Sequence, residues 1–157
     1  DKPFQVGDYV KFGTYEGTIE DITFRSTRVR MRDNSLAQVP NSVISSTTVV
    51  NISRIKKRLY EIDLQVNFDT SLAKLSNFEH SVLDFLNNYD MVVEQSANVF
   101  LKQINSDDYN IHIYCYLNVT GFDQFCIEKG KLNYEIMNII KQNDIKLALE
   151  TMEIKNT

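Results

Sequence analysis

Apolar and polar positions follow two different patterns along this chain, and the change falls close to Arg54. Over the first 53 residues the apolar runs are short, rich in Val, Ile, Tyr and Thr, and separated by Gly7, Gly13 and Gly17. Such runs predict β-strands joined by tight turns. Arg28-Val29-Arg30-Met31-Arg32 alternates strictly, so Val29 and Met31 are expected to face a core and the three arginines to face away from it. Asp33-Asn34-Ser35 reads as a turn, Leu36 to Val39 as a strand stopped by Pro40-Asn41, and Val49 to Ser53 as a further strand. Ile19 and Ile22 are out of phase for a period of two, which predicts a bulge or bend between them. About five short strands of this kind fit a small barrel.

After a basic connector, Arg54 to Arg58, the runs lengthen. Tyr60, Ile62, Leu64, Val66 and Phe68 alternate with Glu61, Asp63, Gln65 and Asn67, the mark of a strand with one buried face. Asp69-Thr70-Ser71 is placed to cap a helix whose apolar face is Leu72, Leu75, Phe78, Val82, Leu83, Phe85 and Leu86, ending at Asn87-Asn88. Val99 to Ile104 and Ile111 to Val119 read as strands about a turn at Ser106-Asp107-Asp108. Asp123 is expected to cap a second helix striped by Leu132, Ile136, Ile139 and Ile140. Ile145 to Leu149 reads as a fourth strand. The order βαββαβ is the split βαβ, or ferredoxin-like, unit. Met152 and Ile154 then alternate with Glu153 and Lys155 in a short extra strand. The expected domains are therefore 1–56 and 57–149, with a tail at 150–157.

Composition narrows the function classes. The chain has 157 residues, 43% of them hydrophobic, enough for packed cores. It has no run of about 20 apolar residues such as a membrane span needs, and no apolar or Arg-rich leader. Asp1 to Phe4 lead straight into a folded pattern, as expected of a piece of a longer protein. The net charge of −4 speaks against a general nucleic-acid binder. Two cysteines, Cys115 and Cys126, make no disulfide framework, and a reducing compartment is the simpler reading.

The soft metal ligands are His80, His112, Cys115 and Cys126. His112 and Cys115 stand three apart on a strand and so point to opposite faces, which favours Cys115 in the core and His112 at the surface over a zinc site. The glycines fit no phosphate-binding loop and there is no nucleophile elbow. Neither catalysis nor a cofactor is expected. Asp107-Asp108 reads as a hairpin turn. Glu61 and Asp63 share the polar face of a strand, where they are either solvated or part of a charged lining. Arg25, Arg28, Arg30 and Arg32 form the densest charge cluster. They have three readings: contacts to RNA phosphates, ion pairs, or a solvated face.

Several fragments in order resemble the β-domain of small-conductance mechanosensitive channels. They are Pro3-Phe4, Gly7-Asp8-Tyr9-Val10, Glu16-Gly17-Thr18-Ile19, Ser26-Thr27-Arg28-Val29-Arg30, Val39-Pro40-Asn41-Ser42 and Asn51-Ile52-Ser53-Arg54. The second half is similar mainly in pattern, with Phe68-Asp69-Thr70 after its first strand. The resemblance implies an Sm-like β-domain, a ferredoxin-like α+β domain, and a C-terminal strand that joins copies from other subunits in a small barrel. It implies a homo-oligomer, a heptamer around a hollow cytoplasmic vestibule, held at the inner (plasma) membrane by helices that precede this chain. It casts Gly7, Gly17, Pro40, Asn41, Ser53 and Arg54 as structural or assembly positions, Met152 and Ile154 as barrel residues, and Glu61 and Asp63 as vestibule charges. Where the family often carries prolines after the last α+β strand, this chain has Ala148-Leu149-Glu150. The competing reading is a free-standing RNA-binding or ligand-sensing module built from the same two folds.

Overall fold

The computed structural model describes residues 3–149. The chain divides into two compact units, Asp1–Ile55 and Lys56–Thr157.

The first unit is one antiparallel sheet. Its strands are β1 (Tyr9–Phe12), β2 (Tyr15–Ile22), β3 (Ser26–Met31), β4 (Leu36–Pro40) and β5 (Val49–Asn51), in the order β4-β3-β2-β1-β5. A short helix, α1 (Asn41–Ser45), follows β4, and a single 3-10 turn, Ile52–Arg54, follows β5. Val10, Phe12, Ile19, Val29, Val39 and Ile44 form its core, with Met31 packed against them. This is the arrangement that the Val29/Met31 alternation requires. Ile19 pairs with Val29 but Asp21 pairs with Arg28, so Glu20 is the extra residue of a bulge. The bulge shifts the phase of β2 and leaves Ile22 on the exposed side, 38% accessible.

The second unit is a three-stranded antiparallel sheet, β6-β8-β7, from β6 (Arg58–Asn67), β7 (Asn98–Ile104) and β8 (Asp108–Leu117). Two helices, α2 (Leu72–Asn87) and α3 (Phe122–Gln142), join it. Tyr60 and Val66 of β6 and Ile111, Ile113, Cys115 and Leu117 of β8 point to one face. There they are buried with Leu75, Phe78, Val82 and Leu86 of α2 and Leu132, Ile136 and Ile139 of α3. The order of elements is the ferredoxin-like one.

Several local expectations change, among them Phe68, which follows the end of β6 and is 45% exposed. Ile145 to Leu149 takes the fourth-strand position at the free edge of β6, but through one bridge, Val66 to Leu147. Two backbone bonds flank it, Asn67 N to Lys146 O at 2.8 Å and Ala148 N to Gln65 O at 2.9 Å. Helix α3 begins one residue before Asp123, with Gly121 at the cap and no side-chain capping bond. Asp123 instead sits in the first turn, where its charge suits the helix dipole. Leu72, expected in the apolar face of α2, is the first residue of that helix and is 74% exposed. The Ser71 hydroxyl does cap α2, accepting from Lys74 N.

Candidate functional site

The corner after β4 is held by side chains. Pro40 ends the strand, where a residue without an N–H does no harm to the ladder. The Asn41 side chain reaches across the unit. Its Oδ1 accepts from Thr27 Oγ1 at 2.8 Å, its Nδ2 donates to Thr23 O at 2.8 Å, and its backbone N donates to Arg25 O at 2.8 Å. Asn41 thus ties the start of α1 to the loop between β2 and β3. Thr27 is 1% exposed, so its hydroxyl depends on Asn41.

A second anchor joins the two ends of the unit. Ser53 Oγ accepts from Tyr9 N at 2.8 Å, and Asn51 Nδ2 donates to Pro3 O and to Asp8 Oδ2, both at 2.9 Å. Gly7 adopts φ +96°, a region where a side chain is strained. Gly17 lies against the backbone of β3. A Cβ there would run into the Arg30 carbonyl and stand 3.0 Å from Val29 Cγ1. Beside α1 runs an open groove of about 470 Å³ lined by Phe4, Ile22, Thr27, Asn41, Ile44 and Val49.

Arg30 makes a two-pronged bond to Glu20, Nε to Oε1 at 2.8 Å and Nη2 to Oε2 at 3.1 Å. The Arg30 bond holds the Glu20 carboxyl below its ordinary range. Arg28 and Arg32 are exposed, and Arg25 lies over the Phe24 ring.

On the second unit, Glu61 and Asp63 stand on the sheet face away from the helices. They are not isolated charges. Asp63 lies opposite His112 in the ladder, and His112 Nδ1 is 2.7 Å from Asp63 Oδ1. A carboxylate only accepts, so Nδ1 carries the hydrogen in this contact. His112 Nε2 faces Glu61 Oε2 at 3.5 Å, and Lys102 Nζ lies 3.3 Å from Asp63 Oδ2. Phe100 and Tyr114 flank the imidazole, whose side chain is 14% exposed. His112 is therefore on the outer face, as its spacing from Cys115 requires, but as the centre of a network and not as a free surface residue. Cys115 is fully buried, and burial pushes its thiol up to about 12. Among the described residues no three His, Cys, Asp or Glu side chains come together to hold a metal ion, and no helix is long and apolar enough to cross a membrane. Met152 and Ile154 lie outside the described residues.

The His112 bond, then Lys102, hold the Asp63 carboxyl below its ordinary range. A depressed acid adds stability that is complete above its unfolded value, near about pH 4, and lost as pH falls through the folded value. His112→Ala is expected to flatten the acid limb of a stability–pH curve measured by urea unfolding. An equal slope in both proteins would contradict the pairing.

Residues 1–54 match the family described as "Mechanosensitive ion channel, beta-domain", and residues 60–147 match "Mechanosensitive ion channel MscS, C-terminal". The chain belongs to the MscS mechanosensitive ion channel family. Members similar to it include the MscS family protein YhdY of Bacillus subtilis, 30% identical over 94% of this chain and 40% of its own length. The low conductance mechanosensitive channel YnaI of Escherichia coli is 25% identical over 98% of this chain and 46% of its own length. The chain thus spans less than half the length of these MscS relatives. In fold it is similar to Arabidopsis thaliana MSL1, with a TM-score of 0.87 at 22% identity over 95% of this chain and 54% of that one. The closed state of Helicobacter pylori MscS gives a TM-score of 0.76 at 20% identity, over 99% of this chain and 60% of that one.

Proposed function

We propose that this chain is the cytoplasmic assembly and vestibule part of a mechanosensitive channel that releases ions and small osmolytes when membrane tension rises. The observation that carries the reading is the succession of two family domains, β-domain then C-terminal domain, over nearly the whole chain. In this reading residues 1–56 form the Sm-like domain, 57–149 the ferredoxin-like domain, and 150–157 a strand. The channel lies in the inner (plasma) membrane, spanned by helices outside this chain, and its subunits form a homoheptamer. Glu61 and Asp63 line the vestibule. There Glu61 keeps more of its charge available to passing ions than Asp63, which Lys102 and His112 engage. The Asn41 and Ser53 anchors keep the β-domain stiff enough to hold its neighbours in register. Arg30 is occupied by Glu20, and acids share the open sheet face with the aromatic rings, which speaks against an RNA-binding module.

Met152 and Ile154 suit a strand that gains its hydrogen bonds from copies of itself, since closure removes sheet edges. The expected result is that the 157-residue chain associates as its concentration rises, while a chain ending at Leu149 associates less. Sedimentation over a concentration series reads the difference, and identical behaviour of the two would refute the tail as a clasp.

A further inference from the structure

The outer face of α3 carries a pattern that the fold does not use. Leu132, Ile136 and Ile139 are buried against the sheet. On the opposite side of the helix stand Ile127 at 58%, Tyr134 at 75% and Met137 at 49% exposed. At 3.6 residues per turn these three share one stripe with Asp123, Gly130 and Lys141. Gly130 sits in the helix interior, where glycine costs about 1 kcal/mol against alanine. No close approach among the described residues explains it, since a Cβ there would meet no atom within 4 Å.

The stripe is matched about Leu132. Gly130 and Tyr134 are each two residues from it, Ile127 and Met137 five, and Asp123 and Lys141 nine. Laid antiparallel on a second α3 about a two-fold axis at Leu132, every position meets its complement. Tyr134 lies over the bare backbone of Gly130, Ile127 meets Met137, and Asp123 meets Lys141. Each contact occurs twice, as an isologous interface demands. The helix dipole accounts for an acid in the first turn and a base in the last. It does not account for both lying on the apolar stripe at equal distances from its centre. Neither Asp123 nor Lys141 has an ion-pair partner among the described residues.

We propose that the outer face of α3 is a docking surface for the α3 of a second copy of this chain, packed antiparallel through Asp123, Ile127, Gly130, Tyr134, Met137 and Lys141. The patch is small, so the contact is weak and depends on concentration. A two-fold contact closes on itself, so it joins two copies and no more. If seven copies form a ring through other surfaces, α3 links one ring to another.

The test is charge reversal in the full 157-residue chain, read by sedimentation equilibrium. Asp123→Lys and Lys141→Asp are each expected to weaken the α3 contact by about tenfold through like charges facing each other. The double variant restores the pairs and is expected to recover the association. Gly130→Leu strengthens the helix itself, yet is expected to weaken association by displacing Tyr134 of the second copy. A spin label on Cys126, the exposed cysteine, is expected to report a distance of about 20 Å to its symmetry mate, from the helix rise and the spacing of packed helices. Association that ignores the single reversals, is not recovered by the double, or is absent at millimolar chain overturns the proposal. Tail-driven assembly is insensitive to these charges, so its failure is read separately, by truncation after Leu149.

Discussion

Gly17→Ala is expected to destabilise the β-domain strongly. The new Cβ would meet the Arg30 carbonyl group, with its carbon 2.9 Å away, and Val29 Cγ1 at 3.0 Å. Two of these atoms are backbone and the third belongs to a fully buried side chain, so none can swing aside. Strands β2 and β3 must part at Gly17–Met31, or the core around Val29 must shift. Overpacking of a rigid site costs about 3 kcal/mol. Urea unfolding of the first unit should show that loss, while unfolding of the second unit is unchanged. A loss within about 0.5 kcal/mol, the usual range of a neutral surface change, would mean that the strands are not so closely held.

The glycine was visible in the sequence, but its reason was not. A one-dimensional pattern shows that a residue lacks a side chain, not which backbone approaches it. The same limit separates what could be read in the rest of the chain from what could not. The alternation at Val29/Met31 and at Tyr60 to Val66 was legible because strand period and burial face are local. The phase slip between Ile19 and Ile22 was legible as a bulge for the same reason. Pairing is not local. Asp63 and His112 are 49 residues apart, and only the register of β6 on β8 sets them opposite. The sequence pattern puts Glu61 and Asp63 on a polar strand face and His112 at the surface, but not against one another. Asn41 was legible as part of the corner that stops the strand, but not its partners Thr23 and Thr27, which lie 18 and 14 residues away. Ile145 to Leu149 alternates like a full strand, yet makes a single bridge.

Asn41→Ala is expected to cost about 2–3 kcal/mol, because it strands a buried partner as well as removing bonds. Thr27 Oγ1 would lose its acceptor at 1% exposure, and the Thr23 carbonyl would lose its donor. The diagnostic is the double variant with Thr27→Val. Removing the stranded hydroxyl takes away the penalty, so the double should be more stable than Asn41→Ala alone. Equilibrium unfolding of the wild type, both single variants and the double completes the cycle. If the two changes simply add, the Thr27–Asn41 bond does not hold the corner. Because the corner fixes the loop between β2 and β3, the same variant is expected to lower association of the chain.

In the function proposed for it, the protein carrying this chain opens under membrane tension. The most direct test is a patch-clamp recording from liposomes holding the full-length gene product, with suction applied in steps. Discrete currents are expected to appear above a threshold of suction and vanish on release. Deletion of residues 150–157 is expected to change the threshold or the open-state lifetime. A protein that inserts in the membrane yet stays closed up to the tension at which the patch breaks would contradict that function.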